Sequence, residues 1–260
     1  MGRIITFTTD WNNSDYYIGA VKASIIAKVP DIVFVDISHD IESFSVSQAA
    51  FVLKSVYKKF PAGTIHIIGV DSEPDINGKI LVAKYDSQYF ICNDNGCTGL
   101  IFEHKPEIVV IIETGFAFDG CCFTELTVFS DIAVYISKNE NLKDLGNVVD
   151  DVNRYTGLTA QIEPDMINGE VIYIDSYFNA ITNITKEIFE ENVAGRKFEI
   201  LLNTNLLKTD KIHPSYKSVD KGELVCIFNS LGLLEIAIRE GKASQLLSLN
   251  RKSAIRIRFK

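Results

Sequence analysis

Apolar runs and helical segments alternate along the first half of the chain. β-Branched apolar runs predict strands, whereas apolar residues three and four positions apart predict amphipathic helices. The predicted strands cover 3–9, 32–37, 65–70, 80–85, 89–93 and 108–112, and the predicted helices cover 18–27, 46–60 and 129–137. The initial order of strand, helix, strand, helix and strand indicates parallel pairing through right-handed crossovers. The first half therefore predicts an α/β domain with a parallel-rich sheet.

The pattern changes to short strands after residue 169. The predicted strands cover 170–175, 197–202, 224–229, 233–238 and 254–259, with short helices near 186–191 and 243–247. Many short strands separated by turn residues predict a compact β barrel or sandwich. The polar region 138–165 contains Gly157 and Pro164, as expected of a domain boundary. We therefore predict one domain over 1–160 and a smaller one over 161–260.

The charge balance argues against a nucleic-acid partner. The 260 residues carry a formal net charge of -8, whereas nucleic-acid binding normally needs a basic face. The arginines of 254–259 alternate with apolar residues, which favours an edge strand with solvated arginines.

Cysteine usage and hydropathy predict a cytoplasmic protein that does not bind a membrane. The five cysteines are odd in number and form no CxxC pair, which favours buried reduced thiols. The adjacent Cys121 and Cys122 leave open a redox pair or metal ligands. No apolar run approaches the roughly 20 residues of a membrane span, and no signal-peptide pattern is present.

Three aspartates follow or end predicted parallel strands, namely Asp10, Asp36 and Asp71. Ligands of open α/β sheets bind outside the carboxyl ends of such strands. An aspartate at a strand end also serves as a helix cap or turn former. The three together favour a single binding crevice.

Several segments, in the same order, resemble the S-adenosyl-L-methionine (SAM) hydroxide adenosyltransferase family, relatives of the bacterial fluorinase and chlorinase. These segments are 8–22, 35–41, 46–53, 61–71, 93–100, 169–184 and 229–238. The resemblance implies a Rossmann-like amino-terminal domain and a carboxyl-terminal β barrel. It also implies a homotrimer that binds SAM between domains and at subunit interfaces. SAM would be the substrate or ligand, with no separate cofactor.

The resemblance assigns three substrate-binding residues to the first domain. Asp10 matches the aspartate that holds the ribose hydroxyls, because a carboxylate accepts two hydrogen bonds from a cis-diol. Phe44 matches a position that shapes the ribose and adenine wall, with plain core packing as the alternative. Asn95 belongs to the 93–96 run, which matches a Pro-Asp-Asn-Gly motif with Asn93 in the place of the proline.

The second domain is expected to contribute the remaining substrate-binding residues. Asp175 and Asn179 match residues that contact the methionine end of SAM. The family's aromatic-glycine pair is Tyr177-Phe178 here, so a bulky ring replaces the glycine. The segment that reads the adenine edge supplies Asn229, Ser230 and Glu235, although Glu235 is also compatible with a surface strand position.

The family reaction is attack of water on the ribose carbon bonded to sulfur, which releases adenosine and methionine. The resemblance assigns an Asp-Arg-His set to this step. Asp71 matches the aspartate, but Gly78 and Thr124 stand in the places of the arginine and the histidine. Two of the three side chains are therefore replaced.

Two functional hypotheses follow from these replacements. In the first, the protein is a SAM hydrolase in which Asp71 and Lys79 form the catalytic set, and Lys79 supplies the missing positive charge. The base would then come from one of three nearby acids, Glu73, Asp75 or Glu125. In the second, the protein binds SAM or adenosine without efficient turnover. The family assignment favours the enzyme.

The four histidines do not suggest a metal site. His39 is expected to tether a loop and His66 to be a hydrogen-bonded core residue, while His104 and His213 lack metal-ligand spacing. The chain also contains no GxGxxG or Walker motif. The α/β domain is therefore not predicted to bind NAD or ATP.

Overall fold

The computed structural model describes residues 3–73, 78–113, 123–139, 141–152, 159–202 and 207–260. The chain divides into two compact units, Met1–Thr156 and Gly157–Lys260. Within the described ranges, no helix is long and apolar enough to cross a membrane.

The first unit contains a mixed sheet and helices. Its strands are β1 (Ile4–Thr9), β2 (Val33–Ser38), β3 (Ile65–Gly69), β4 (Lys79–Tyr85), β5 (Gln88–Asn93), β6 (Ile108–Glu113) and β7 (Asn147–Val149). Its helices are α1 (Tyr17–Ile26), α2 (Val46–Lys54), α3 (Cys97–Ile101) and α4 (Ser130–Lys138), with a π-helical turn at Glu125–Phe129 and 3-10 turns at Tyr57–Lys59 and Leu142–Asp144. The strand order is β2-β1-β3-β5-β4-β6-β7. The strands β2, β1, β3 and β5 run parallel, whereas β4 is antiparallel to β5 and β6, and β7 to β6.

The first unit has a hydrophobic cluster on each face of its sheet. Successive strand residues point to opposite faces, so Ile67 belongs to one cluster and Ile68 to the other. Val21 of α1 packs in the first cluster, and Leu53 of α2 packs in the second. Each fully buried apolar side chain contributes about 1.5–3 kcal/mol. The mixed sheet between helices is therefore the stable support for the loops at its edge.

The second unit is built on an antiparallel sheet. Its strands are β8 (Gln161–Glu163), β9 (Met166–Ile174), β10 (Ala180–Thr185), β11 (Phe198–Leu202), β12 (Leu207–Thr209), β13 (Leu224–Phe228), β14 (Leu233–Ile238) and β15 (Ala254–Phe259), and its helices are α5 (Lys186–Val193) and α6 (Ala243–Leu246), with a 3-10 turn at Tyr216–Ser218. The order is β12-β11-β15-β9-β10-β14-β13, and β8 pairs with β9. One core cluster draws side chains from β9, β10, β11, β13, β14 and β15, so the sheet curls around it. Closure into a barrel stays a prediction.

The second unit contains three strands that the sequence analysis did not predict, namely β8, β10 and β12, and one predicted strand whose place in the sheet differs. The edge position predicted for 254–259 is wrong, because β15 lies between β11 and β9. Its alternation is confirmed, with Ile255 and Ile257 buried and Arg258 exposed. β10 was not predicted. The polar Thr182 interrupts its apolar residues in the sequence, and both of its pairings in the structure contain a register shift.

Candidate active site

The ends of β1 and β3 bring Asp10 and Asp71 to the same edge of the sheet. These strands are parallel neighbours in which Thr9 lies opposite Gly69, and the Asp10 amide donates to the Gly69 carbonyl at 3.3 Å. Asp71 follows with a positive φ of 47°, a conformation that is uncommon for residues other than glycine. Its side chain is exposed. The two carboxylates therefore stand at adjoining strand ends.

Asp36 does not join this pair, so the prediction that all three aspartates stand at strand ends is wrong. Asp36 lies inside β2, opposite Phe7 of β1. Its Oδ2 accepts from Lys22 Nζ at 2.6 Å, and its Oδ1 lies 3.2 Å from His39 Nε2, outside the direction of a good hydrogen bond. Burial works to raise the pKa of Asp36, but Lys22, aided by His39, lowers it overall. This carboxylate is engaged in a structural ion pair.

Two of the histidine predictions are confirmed. Nδ1 of His39 lies 2.7 Å from Thr9 Oγ1, and its carbonyl accepts from the Asn12 amide at 2.9 Å, so His39 tethers the loop after β1. His66 is fully buried, with Nδ1 2.7 Å from Thr6 Oγ1 and Nε2 2.7 Å from Gln88 Oε1. Both rings therefore serve the structure of the first unit.

Phe44 lies next to Asp10 and is exposed. Its amide donates to Asp10 Oδ2 at 2.9 Å, and its φ is 65°. The side chain is 74% exposed, so the alternative of core packing is wrong. An exposed aromatic ring beside a strand-end carboxylate is suited to cover a flat ligand.

Asn95 holds the chain segment that carries Asp71. Its Nδ2 donates to the Val70 carbonyl at 3.0 Å and to the Asp71 carbonyl at 3.2 Å, and its Oδ1 accepts from the Cys97 amide at 3.1 Å. Nδ2 of Asn93 lies 3.2 Å from the Glu73 carbonyl. The Asn95 amide thus serves the protein backbone, and its contact with a ligand stays a prediction.

Glu125 comes to the same edge from the π-helical turn. It is 3% exposed, and Ser72 Oγ donates to its Oε1. Burial raises the pKa of Glu125 to about 7; a hydrogen bond with its own backbone opposes the shift, and the charge of Asp10 adds to it. From the sequence, Glu125 is one of three candidate bases, and its burial is not predictable there because it depends on the packing of the turn.

The other proposed substitutes occupy different places. Lys79 opens β4 at the same sheet edge, exposed and opposite Glu113, with β5 between β4 and β3. Glu73 is exposed close to Asp71 in sequence. Asp75 lies outside the described residues, as do Cys121 and Cys122. Gly78 has a positive φ of 57°, and Thr124 is 3% exposed.

In the second unit, Asp175 organises the turn before β10. Oδ1 of Asp175 accepts from the amides of Tyr177 at 2.9 Å and Asn179 at 2.8 Å, and Oδ2 accepts from Asn179 Nδ2 at 3.1 Å. Phe178 has a φ of 65°, which explains why glycine suits this position. The Lys242 ammonium lies 4.5 Å from the centre of the Phe178 ring, a favourable cation-π contact.

Glu235 and Asn229 form a hydrogen-bonded group with a tyrosine that the sequence did not single out. Glu235 is 3% exposed, so the surface-strand alternative is wrong. Its Oε1 accepts from Tyr216 Oη at 2.5 Å, and its Oε2 accepts from Asn229 Nδ2 at 3.1 Å. Burial raises the pKa of Tyr216, and the hydrogen bond to Glu235 and the charges of Glu235 and Asp175 add to the shift. Ser230 is exposed in the following turn.

Tyr216 gave no signal in the sequence, because it lies in a polar segment between predicted strands. Its 3-10 turn, Tyr216–Ser218, is held partly by the Ser218 amide, which donates to the Ser215 carbonyl at 3.2 Å. The turn packs against β13. The conformation of this loop thus places the Tyr216 hydroxyl within hydrogen-bonding distance of Glu235.

The fold and the candidate site define a class of two-unit proteins that combine an α/β sheet, carboxylates at its parallel strand ends and a curled antiparallel sheet. The profile of the SAM hydroxide adenosyltransferase N-terminal domain matches residues 5–146. That of the SAM hydroxide adenosyltransferase C-terminal domain matches residues 169–256. The chain therefore belongs to the SAM hydroxide adenosyltransferase family.

Similar proteins match along nearly the whole chain. The (R)-S-adenosyl-L-methionine hydrolase of Methanocaldococcus jannaschii is 27% identical, over 98% of this chain and 95% of its own length. The (R)-S-adenosyl-L-methionine hydrolase of Thermus thermophilus is 24% identical, over 98% of this chain and 99% of its own length. The crystal structure of an uncharacterized conserved protein from Thermotoga maritima aligns with a TM-score of 0.86 and 27% identity, covering 97% of this chain and 99% of that one.

Proposed function

We propose that this protein is a SAM hydrolase, which transfers the adenosyl group of S-adenosylmethionine to water. The water oxygen bonds to the ribose C5′ while the bond between C5′ and sulfur breaks, and its electron pair stays on sulfur. The products are adenosine, methionine and one proton. The names of the relatives support this substrate.

The observation that carries the proposal is the placement of Asp10 and Asp71 at adjoining strand ends. Among the described residues, Asp10 accepts one hydrogen bond, from the Phe44 amide to Oδ2, and a carboxylate offers about four acceptor positions. It can therefore still bind both hydroxyls of a ribose, while the exposed Phe44 ring covers the nucleoside. Asp71 then orients the attacking water.

The chemical demand on the protein is modest because a sulfonium is an activated leaving group. The site must hold water in line with the bond that breaks, exclude competing solvent and accept a proton. Asn95 and Asn93 fix the backbone around Asp71 through their side-chain amides. We propose that Lys79 contributes positive charge at the same sheet edge.

We assign the methionine end and the adenine edge of SAM to the second unit. Asp175 uses three of about four acceptor positions within its turn, which leaves one for an ammonium group. Asn179, 8% exposed, is proposed to orient this end. Asn229, Ser230 and Glu235 are proposed to read the adenine edge.

The alternative function is binding of SAM or adenosine without turnover. The observation that favours it is the replacement of the family's arginine and histidine by Gly78 and Thr124. Neither side chain carries charge or exchanges a proton near neutral pH. Binding residues alone do not distinguish the two functions.

We also propose a homotrimer with sites at subunit interfaces. The proposal follows the family resemblance, and the side chains of Tyr16, Phe44 and Tyr177, which are 71%, 74% and 77% exposed, are available for contacts between subunits. Light scattering should give the mass of three chains, and a monomer would contradict the proposal. A cytoplasmic location is proposed from the free, buried cysteines Cys92, Cys97 and Cys226.

The test of the proposed function is product analysis. Purified protein is incubated with SAM, and adenosine and methionine are quantified by chromatography against an enzyme-free control. We expect equimolar release above the control. If product release does not exceed the control while calorimetry detects SAM binding, the hydrolase function is refuted and the binding function is supported.

Two variants separate catalysis from binding. Asp71→Asn should abolish release and preserve the Kd for SAM, because it removes the charge without changing the size of the side chain. Asp10→Ala should weaken adenosine binding roughly 10- to 100-fold, since hydrogen bonds to a charged group contribute about 1.5–3 kcal/mol. Unchanged adenosine affinity would refute the role of Asp10.

A further inference from the structure

The half-buried Ser72 and the buried Glu125 form a hydrogen-bonded pair beside Asp71. Ser72 directly follows Asp71, and its hydroxyl donates to Glu125 Oε1. A Cβ atom built on Gly69 would lie 3.2 Å from the same oxygen, so Glu125 packs directly against the end of β3. The pair therefore connects the segment that carries Asp71 with the protein interior.

Aromatic rings shield the region around Glu125. Trp11, 9% exposed, packs against Gly69. Phe123 lies edge-on to the indole at 5.3 Å between ring centres, and Tyr17 of α1 lies edge-on to Phe123 at 5.0 Å. A carboxyl group among such rings is poorly solvated, which favours its neutral form over its ionised form.

Several charged and titratable groups lie on the elements that pack around Glu125. Asp10 follows β1 and acts on Glu125 through its negative charge. The π-helical turn also packs against α1, whose titratable residues are Tyr17 and Lys22, and against α4, whose charged or titratable residues are Asp131, Tyr135 and Lys138. The Lys22 ammonium is paired with Asp36. His39, after β2, reaches this region through its stacking on Trp11.

We propose that Ser72 and Glu125 form a relay that removes the proton of the attacking water, an inference that rests on the proposed hydrolase function. As the water oxygen bonds to C5′, its proton passes to Ser72 Oγ and the Ser72 proton passes to Glu125 Oε1. Methionine leaves with the electron pair of the C5′–S bond. Glu125 later returns the proton to solvent by the reverse path. Glu125 acts only through Ser72 and is a positioning residue.

The pKa of Glu125 suits its role as the final proton acceptor of the relay. Proton transfer is most effective when the acceptor titrates near the working pH, and burial raises the pKa of Glu125 to about 7. The relay requires ionised Glu125 before each turnover. The value of kcat should therefore rise as the pH increases through about 7 and then level off.

The experiment compares pH profiles of kcat and KM for the full chain and matched variants. Glu125→Gln keeps the shape and an acceptor for Ser72 but cannot take a proton. It should lower kcat by roughly 10²–10⁴, change KM little and abolish the rise near pH 7. Glu103→Gln, on the surface with Lys54 and Lys58, is the control and should keep the unmodified profile.

A second pair of variants tests the relay without changing a buried charge. Ser72→Ala removes the hydroxyl and should lower kcat to a similar extent, whereas Ser72→Thr retains a hydroxyl and should restore most of it. Equal kcat values for Ser72→Ala and Ser72→Thr would overturn the relay, as would an unchanged pH profile in Glu125→Gln. Absence of turnover in the unmodified protein would instead overturn the hydrolase function itself.

Discussion

The replacement of Gly69 by alanine tests how tightly the candidate site is packed. An added Cβ would lie 2.5 Å from Trp11 Cζ2 and 3.0 Å from Cε2, whereas favourable carbon contacts lie at about 3.5–4.0 Å. The indole cannot easily move away, because it stacks on His39 and meets the edge of Phe123. We therefore expect Gly69→Ala to destabilise the first unit.

Overpacking of a filled core typically costs about 1–3 kcal/mol. At roughly 2–4 °C for each kcal/mol in a protein of this size, the apparent Tm should fall by about 2–12 °C. Trp11 is the single tryptophan of the chain, so its fluorescence during urea denaturation reports unfolding of the first unit. The free energy of unfolding is obtained from the midpoint and slope of that transition.

Gly19→Ala is the matched control for Gly69→Ala. Gly19 lies in α1, and an added Cβ meets nothing within 4 Å. Alanine is favoured over glycine in a helix interior by about 0.8–1.0 kcal/mol, so this variant should be stabilised. The packing argument would be refuted if Gly69→Ala changed the free energy of unfolding by less than about 0.5 kcal/mol, the usual range for surface substitutions.

Two further predictions concern buried polar groups. Burial lowers the pKa of His66 from 6.5 to about 4, so between these values the unfolded chain binds a proton that the folded chain does not. The free energy of unfolding should therefore fall by about 2 kcal/mol between pH 7 and pH 5. The urea midpoint of His66→Asn should change less over this range than that of the unmodified protein. Tyr216→Phe removes a hydrogen-bond donor from the buried Glu235 and should lower the free energy of unfolding by about 1–3 kcal/mol, measured by thermal unfolding followed by circular dichroism. The control Tyr177→Phe, on an exposed ring, should change it little. Equal stability of these two variants would contradict the buried hydrogen bond.

The sequence by itself determined the main elements and the family. The apolar periods predicted β1, α1, β2 and β3 within one or two residues of their observed bounds, because alternating and helical patterns are local properties of the chain. It also placed Asp10 and Asp71 at the ends of parallel strands, whereas the adjacency of those strands came from the structure. The segments in family order, from 8–22 to 229–238, led to the assignment that the two domain profiles support.

The tertiary structure alone decided which polar groups are buried and which partners they meet. The pattern did not distinguish the strand-interior Asp36, paired with Lys22, from the strand-end Asp10. It also gave no reason to join Glu125 to Ser72 or Tyr216 to Glu235. These contacts depend on how distant segments pack, and burial in that packing sets both the pKa of a carboxyl group and the cost of leaving it without a partner.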